Sequence, residues 1–335
     1  MTAQTPYSAH SDRNLALELA RVTEFAAMGA AAWIGRGDKI AADQAAVDAL
    51  HYVLGSTPIS GVVVSGEGTK DEAPKLHHGE EIGAGGPEVD IAIDPLEGTR
   101  LTAEGFPGAI AVIAAAKKGA MLAVGDSVPY MEKMATGPAY ADLLDLDDPV
   151  GTVKRIAERK GSGTNQVAVV VLDRPRHAET IAAIRAAGAR VKLILDGDIL
   201  PVLLAADSDS AVDMLWGVGG TPETLIGSAA CRCNGAQLLA RFWPRSNEER
   251  ATGAAEGLEM DRIYTAEELV GGDDVFFSCT GVTSGEIVKG VQFQDGEVRT
   301  ESLTMRSRSG TIRRISGRHD LSKIDSLRSA AASQD

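Results

Sequence analysis

Apolar residues at Leu15, Leu19, Val22, Phe25 and Trp33 recur at helical spacing with alanines between them, and predict an amphipathic helix from Asn14 to Trp33. Gly35-Arg36-Gly37-Asp38-Lys39 interrupts it, and a second helix is predicted from Ala41 to Leu54 with Val47, Leu50 and Leu54 on one face. The rhythm then shortens. Val62-Val63-Val64-Ser65 is a β-branched run with glycines on both sides, read as a buried strand that delivers Glu67, between Gly66 and Gly68, at its end. Val89, Ile91 and Ile93 alternate with other residues at the period of a half-buried strand. Three further runs, Ala109 to Ala116, Ala120 to Val124 and Pro129 to Ala135, are separated by turns short enough to predict an antiparallel meander.

The second half changes pattern. Gln166 to Leu172 reads as a strand, His177 to Ala187 as a helix, Val191 to Leu195 as a strand and Ile199 to Ala205 as a helix. Val212 to Val218 is a further strand and Thr221 to Phe242 one long helix. Such alternation predicts a largely parallel α/β lobe, with ligands outside the carboxyl ends of its strands. Asn247 to Asp261 reads as loop and surface helix; strands follow at Val275 to Cys279, Val288 to Phe293, Val298 to Met305 and Thr311 to Ile315, with Asp295-Gly296 as a hairpin turn. The expected organisation is an N-terminal α+β lobe over residues 1–150 and a C-terminal α/β lobe over 151–335.

Composition narrows the class. Lys and Arg number 33 against 47 Asp and Glu, a net charge of −14 that argues against general nucleic-acid or anionic-membrane binding. No apolar run is long enough to span a bilayer and the stretch from Met1 to Arg13 is polar, so a cytoplasmic protein is expected. The three cysteines suit a reducing compartment; Cys231 and Cys233, two apart on a helix, do not face each other and read as core or surface thiols rather than zinc ligands. Positive charge concentrates at Arg306, Arg308, Arg313, Arg314 and Arg318, read as a solvated face or the interface of a homo-oligomer, a dimer or tetramer.

Candidate chemistry centres on Val89 to Arg100. Pro95 biases Asp94 toward an extended backbone and cannot continue a ladder, so the strand is expected to stop there, with Glu97 following across a tight bend. Two carboxylates on such a turn can converge where hard divalent cations take oxygen ligands. Gly98 permits close backbone approach, and Thr99 adds a hydroxyl beside amides that could face a phosphate. An ordinary Asp-Pro turn with solvated acids fits the stretch equally well. Asp43, near the start of the second helix, reads by itself as a capping or dipole residue, and Tyr130 as core or as a phenol at a site rim. The strand ends of the second half offer Arg174-Pro175-Arg176, Asp196-Gly197-Asp198 and Gly219-Gly220-Thr221-Pro222-Glu223.

The order of Gly35-Arg36-Gly37-Asp38-Lys39, Asp43, Gly66-Glu67-Gly68 and Asp94-Pro95-Leu96-Glu97-Gly98-Thr99 resembles the class II fructose-1,6-bisphosphatases of bacteria. These belong to the lithium-sensitive, metal-dependent phosphatase superfamily that includes inositol monophosphatases. The resemblance runs from about Asn14 to His319, through Tyr130-Met131-Glu132-Lys133, Arg174-Pro175-Arg176-His177, Asp196-Gly197-Asp198, Gly219 to Glu223 and Gly310-Thr311-Ile312-Arg313-Arg314. It implies a layered α-β-α-β-α sandwich and hydrolysis of the 1-phosphate of fructose 1,6-bisphosphate. It implies a metal site of Asp43, Glu67, Asp94, Glu97 and Glu223, holding two or more Mg2+ or Mn2+ ions. Catalysis would fall to Thr99, with Asp43 and Glu67. Substrate contacts would come from Lys39, Glu97, Gly98, Thr99, Tyr130, Arg174, Arg176, Asp196, Asp198 and Gly220. Two residues depart from the family pattern: Arg174 stands where lysine is frequent, and Thr69 where a further acid is frequent. The alternatives are action on sedoheptulose 1,7-bisphosphate as well, an inositol-type monophosphate substrate, or a catalytically silent sugar-phosphate binder.

Overall fold

The computed structural model describes residues 15–66, 75–124 and 127–323. Its architecture follows from two sheets whose central strands, such as β4 (Ile110–Lys117) and β6 (Ala168–Leu172), are buried on both faces. Among the described residues the first sheet runs β12 (Gln292–Gln294), β13 (Glu297–Arg306), β11 (Phe276–Gly281), β4 (Ile110–Lys117), β3 (Glu88–Glu97), β1 (Ser60–Ser65), β2 (Glu81–Ile82), with β14 (Thr311–Asp320) paired along the other side of β13. The second runs β10 (Tyr264–Thr265), β9 (Gln237–Phe242), β5 (Tyr130–Thr136), β8 (Met214–Gly220), β6 (Ala168–Leu172), β7 (Arg190–Ile194).

Helices fill three layers around them. Helices α1 (Leu15–Ala31) and α2 (Lys39–Gly55) cover the outer face of the first sheet, α6 (Ile199–Ala206) and α7 (Thr221–Asn234) lie between the sheets, and α4 (Pro149–Arg159) and α5 (Ala178–Ala186) cover the far face of the second. The short helices α3 (Thr99–Glu104), α8 (Asn247–Ala255) and α9 (Ala266–Leu269) complete the set. The result is the α-β-α-β-α sandwich expected from the resemblance. β4 shows why the order is fixed: Ala111, Ile113 and Ala115 pack toward α1 and α2, while Ile110, Val112, Ala114 and Ala116 pack toward α6 and α7. A strand apolar at every position can only sit between two helical layers.

Four expectations are corrected. The strand does not stop at Asp94: β3 continues to Glu97, pairing Asp94 with Val112 and Glu97 with Ile110, with one extra residue bulged out at Pro95-Leu96. Pro95 removes a donor from the ladder but does not end it. The meander fails because β4 belongs to the first sheet and β5 to the second, while 120–124 forms only the bridge Met121 to Val270. The helix predicted to Phe242 ends at Asn234, where Gly235 takes φ 76° and the chain turns back as β9. The second sheet is mixed, since β6 pairs in parallel with β7 and β8 but β5 runs antiparallel to β8 and β9. β5 belongs to the second sheet, and β11 to β14 return to the first.

Ile113 is fully buried against α1 and α2. Ile113→Ala should therefore cost about 2–5 kcal/mol in urea unfolding, without change of metal-dependent chemistry once folded.

Candidate metal and phosphate site

The bulge in β3 decides the geometry of the site. Without it, residues three apart on a strand point to opposite faces. Because Asp94 and Glu97 sit opposite Val112 and Ile110, two apart on β4, both carboxylates emerge on the face that packs toward α6 and α7. There the first turn of α7 brings Glu223, and ligand oxygens of Asp94, Glu97 and Glu223 lie within 4.8 Å of one another. Gly220, the residue before α7, is part of this arrangement: a Cβ there would stand 1.7 Å from Glu223 Oε2.

The crowding has an electrostatic signature. Burial pushes the Glu97 carboxyl up to about 7, with the Asp198 charge adding to it, although the N–H groups of Ile199 and Asp198 and a hydrogen bond with Asp94 oppose the shift. Those N–H groups, at the start of α6, donate to Glu97 Oε1 at 2.7 and 2.5 Å. Glu223 is pushed up to about 8 by burial first and then by the charges of Asp198 and Glu97. Its Oε2 is buried with no hydrogen-bond partner. An orphaned carboxylate oxygen facing two other carboxylates is what an all-oxygen donor set for a hard divalent cation requires, so these residues fit such an ion.

These groups form one wall of a cavity of about 520 Å³. Asp43, Asp94, Glu97, Gly98, Thr99, Tyr130, Arg174, Arg176, Asp196, Asp198, Gly220 and Glu223 all line it, so nearly every candidate residue converges there. Two do not. Lys39 is exposed at the start of α2 and is not among the lining residues, and Glu67 lies outside the described residues, with Gly66 before it on the wall. Asp43 lines the cavity without belonging to the group of three carboxylates.

The same lining holds two arginines. Arg176 donates from Nε and one Nη to Val218 O at 3.1 and 2.8 Å, and its guanidinium lies 5.2 Å from the centre of the Tyr130 ring. Tyr130 is therefore a rim residue and not core. Arg174 reaches Leu195 O at 2.6 Å and Asp196 Oδ1 at 2.7 Å, so the expected phosphate-binding and hydroxyl-binding groups begin paired to each other. Between them His177 Nδ1 contacts Leu172 O at 2.6 Å while Nε2 accepts from the Val218 N–H at 2.7 Å. That pattern requires the neutral imidazole with its proton on Nδ1, and burial lowers the pKa in the same direction. His177 thus ties the ends of β6 and β8 together beneath the two arginines. Sequence reasoning assigned neither His177 nor Lys133 a role. For Lys133 a signal existed, because the alternation of β5 places it on the same face as the buried Met131 and Ala135.

With ordinary values near 4.5 in the unfolded chain, Glu97 and Glu223 make the metal-free folded state bind more protons between about 4.5 and 8. Their contribution to stability is complete below that window and is lost as pH rises through it. In chelator, the melting temperature should fall from about pH 5 to about pH 8.5, and Glu223→Gln should flatten the fall. Scanning calorimetry at a series of pH values checks this.

The family model for bacterial fructose-1,6-bisphosphatase, glpX-encoded, matches residues 13–319. The chain is 39% identical over 328 residues to fructose-1,6-bisphosphatase 1 class 2 of Escherichia coli (strain K12), an alignment that covers 93% of this chain and 97% of that protein. Identity and coverage are the same for the fructose-1,6-bisphosphatase class 2 of Shigella flexneri. A match of that extent, on a chain whose acidic motifs meet in one cavity, places this protein in the glpX-type, class II family of bacterial fructose-1,6-bisphosphatases.

Proposed function

We infer that the cavity hydrolyses fructose 1,6-bisphosphate to fructose 6-phosphate and phosphate, the gluconeogenic reaction of the family, and that it removes the 1-phosphate. The observation that carries the reading is the convergence of the three carboxylates, with the partnerless Glu223 Oε2, and of Arg174 and Arg176 on one cavity. Bound divalent ions supply charge neutralisation at the phosphoryl group and a water of lowered pKa. The all-carboxylate donor set favours magnesium or manganese, two or more per site.

The residues then divide the work. Asp94, Glu97 and Glu223 hold the metals, and Asp43 and Glu67 complete the set. The Thr99 hydroxyl orients the attacking water with help from Asp43, while the amides of Gly98 and Thr99 hold the phosphate being removed. Arg174 and Arg176 bind the distal phosphate, for which Arg174 must exchange part of its contact with Asp196. A planar guanidinium fork suits that exchange better than a lysine ammonium would. Asp196 and Asp198 accept hydrogen bonds from sugar hydroxyls, with Tyr130 and Gly220 lining the space between. Lys39, exposed and off the wall, is given no contact. A reducing, cytoplasmic setting belongs to the same proposal, supported by the buried thiols of Cys231, Cys233 and Cys279. So does a homo-oligomer, a dimer or tetramer, supported by the exposed arginines Arg313, Arg314 and Arg318 on the edge strand β14 of an acidic chain.

Phosphate release from fructose 1,6-bisphosphate, sedoheptulose 1,7-bisphosphate and inositol 1-phosphate, each with magnesium, manganese or chelator, tests the reading. Metal-dependent release from the fructose ester is expected; none from any ester, despite bound sugar phosphate, would establish a silent binder. Glu97→Gln should lower kcat by more than about 100-fold. Arg176→Ala should mainly raise KM, by about 10-fold or more.

A further inference from the structure

Lys133 is 1% exposed and, among the described residues, the one lysine or arginine that is fully buried. A lysine is rarely buried without a partner of opposite charge. Its partner is Asp198, whose Oδ2 lies 2.5 Å from Nζ. That contact is an ion pair without hydrogen-bond geometry, and the hydrogen bond from Nζ goes to Thr224 Oγ1 at 3.2 Å. The Thr224 hydroxyl in turn donates to Gly220 O at 2.7 Å, which leaves its oxygen to accept from the lysine.

Three elements of the site meet at this ammonium. Lys133 comes from the middle of β5, Asp198 immediately precedes α6, and Thr224 follows Glu223 in the first turn of α7. The same Asp198 gives its backbone N–H to Glu97 Oε1. The strand beneath is cleared for the pair: a Cβ on Gly219 would stand 1.4 Å from Asp198 Oδ2 and 3.0 Å from Lys133 Nζ. One charge pair thus holds a residue assigned to the sugar next to the residues assigned to the metals. Lys133 lies behind the cavity wall and Asp198 on it, since Asp198 lines the cavity and Lys133 does not.

We propose that Lys133 is a positioning residue for the phosphatase reaction: its fixed ammonium aims the Asp198 carboxylate at the sugar hydroxyls and keeps the start of α6 and the first turn of α7 in one register. The proposal rests on the assignment of Asp198 to the sugar. A lysine that served only to stabilise the fold would affect melting temperature without selective effect on substrate affinity. A lysine that aims Asp198 affects KM first, and only through Asp198.

The test is steady-state kinetics with fructose 1,6-bisphosphate and saturating metal on Lys133→Met, Asp198→Asn and the double variant, with circular dichroism of each. Lys133→Met should raise KM by about 10-fold or more while kcat stays within about 3-fold, and the double variant should be no worse than Asp198→Asn alone. An unchanged KM in Lys133→Met, or effects that multiply in the double variant, would overturn the proposal. Should Lys133→Met not fold, Lys133→Gln, which keeps a donor toward Asp198 without its charge, is scored by the same two numbers. Failure of both to fold would mark the pair as purely structural and equally overturn it. A wild-type protein without fructose bisphosphatase activity would overturn the functional reading itself, whereas an active wild type with additive variants would overturn only the role given to Lys133.

Discussion

The bulge at Pro95-Leu96 is the constraint on which the site depends. It turns a three-residue spacing, which on a regular strand separates side chains to opposite faces, into two carboxylates on one face. With Glu223 added from α7, three acids share a volume in which their ligand oxygens are within 4.8 Å. Left without cations, such a cluster stays folded by holding protons, which is why burial raises both Glu97 and Glu223. A phosphatase needs that readiness to exchange protons for divalent ions, because neither a single side chain nor water can supply the charge stabilisation that phosphate monoester hydrolysis demands.

The remaining architecture supports this cluster. The sandwich places α6 and α7 between the two sheets, and the start of each helix faces the acids from a different side. N–H groups at the start of α6 hold Glu97, and Lys133 from β5 holds Asp198. In the lining of the same cavity, Arg174 and Arg176 extend from the end of β6, fixed by carbonyls of neighbouring strands and by the neutral His177 beneath them. In the proposed reading, an acidic protein meets a sugar bearing two phosphates with metals for one phosphate and arginines for the other. The arginines are already engaged before substrate arrives, so little side-chain freedom is lost on binding.

Much of this was legible in the residues. The helical periodicity of 15–31 and the β-branched run at 62–65 gave correct elements, as did Asp295-Gly296, where both residues take positive φ between β12 and β13. The motif order carried the family, and twelve of the candidate residues line one cavity. What stayed hidden has physical causes. A proline in a strand reads as a stop, and only the partner strand reveals that the ladder resumes at Glu97. Strand partners far apart in sequence, such as β4 with β11, leave no local signal, so a meander of β4 and β5 looked reasonable. Asn234-Gly235 was a helix stop obscured by the apolar residues Leu238, Leu239 and Ala240 that follow. Lys133 stood in an apolar phase of its strand, a mismatch that marks buried charge, yet its partner Asp198 is 65 residues away.

The central claim is that the cluster of Asp94, Glu97 and Glu223 takes a divalent cation in exchange for the protons held by Glu97 and Glu223. Isothermal titration calorimetry of metal-free protein with manganese near pH 7, repeated in buffers of different ionisation enthalpy, measures that exchange directly. The prediction is release of about one proton or more per protein at pH 7, reduced in Glu223→Gln together with affinity. Tight binding with no net proton release, or binding unaffected by Glu223→Gln, would contradict it.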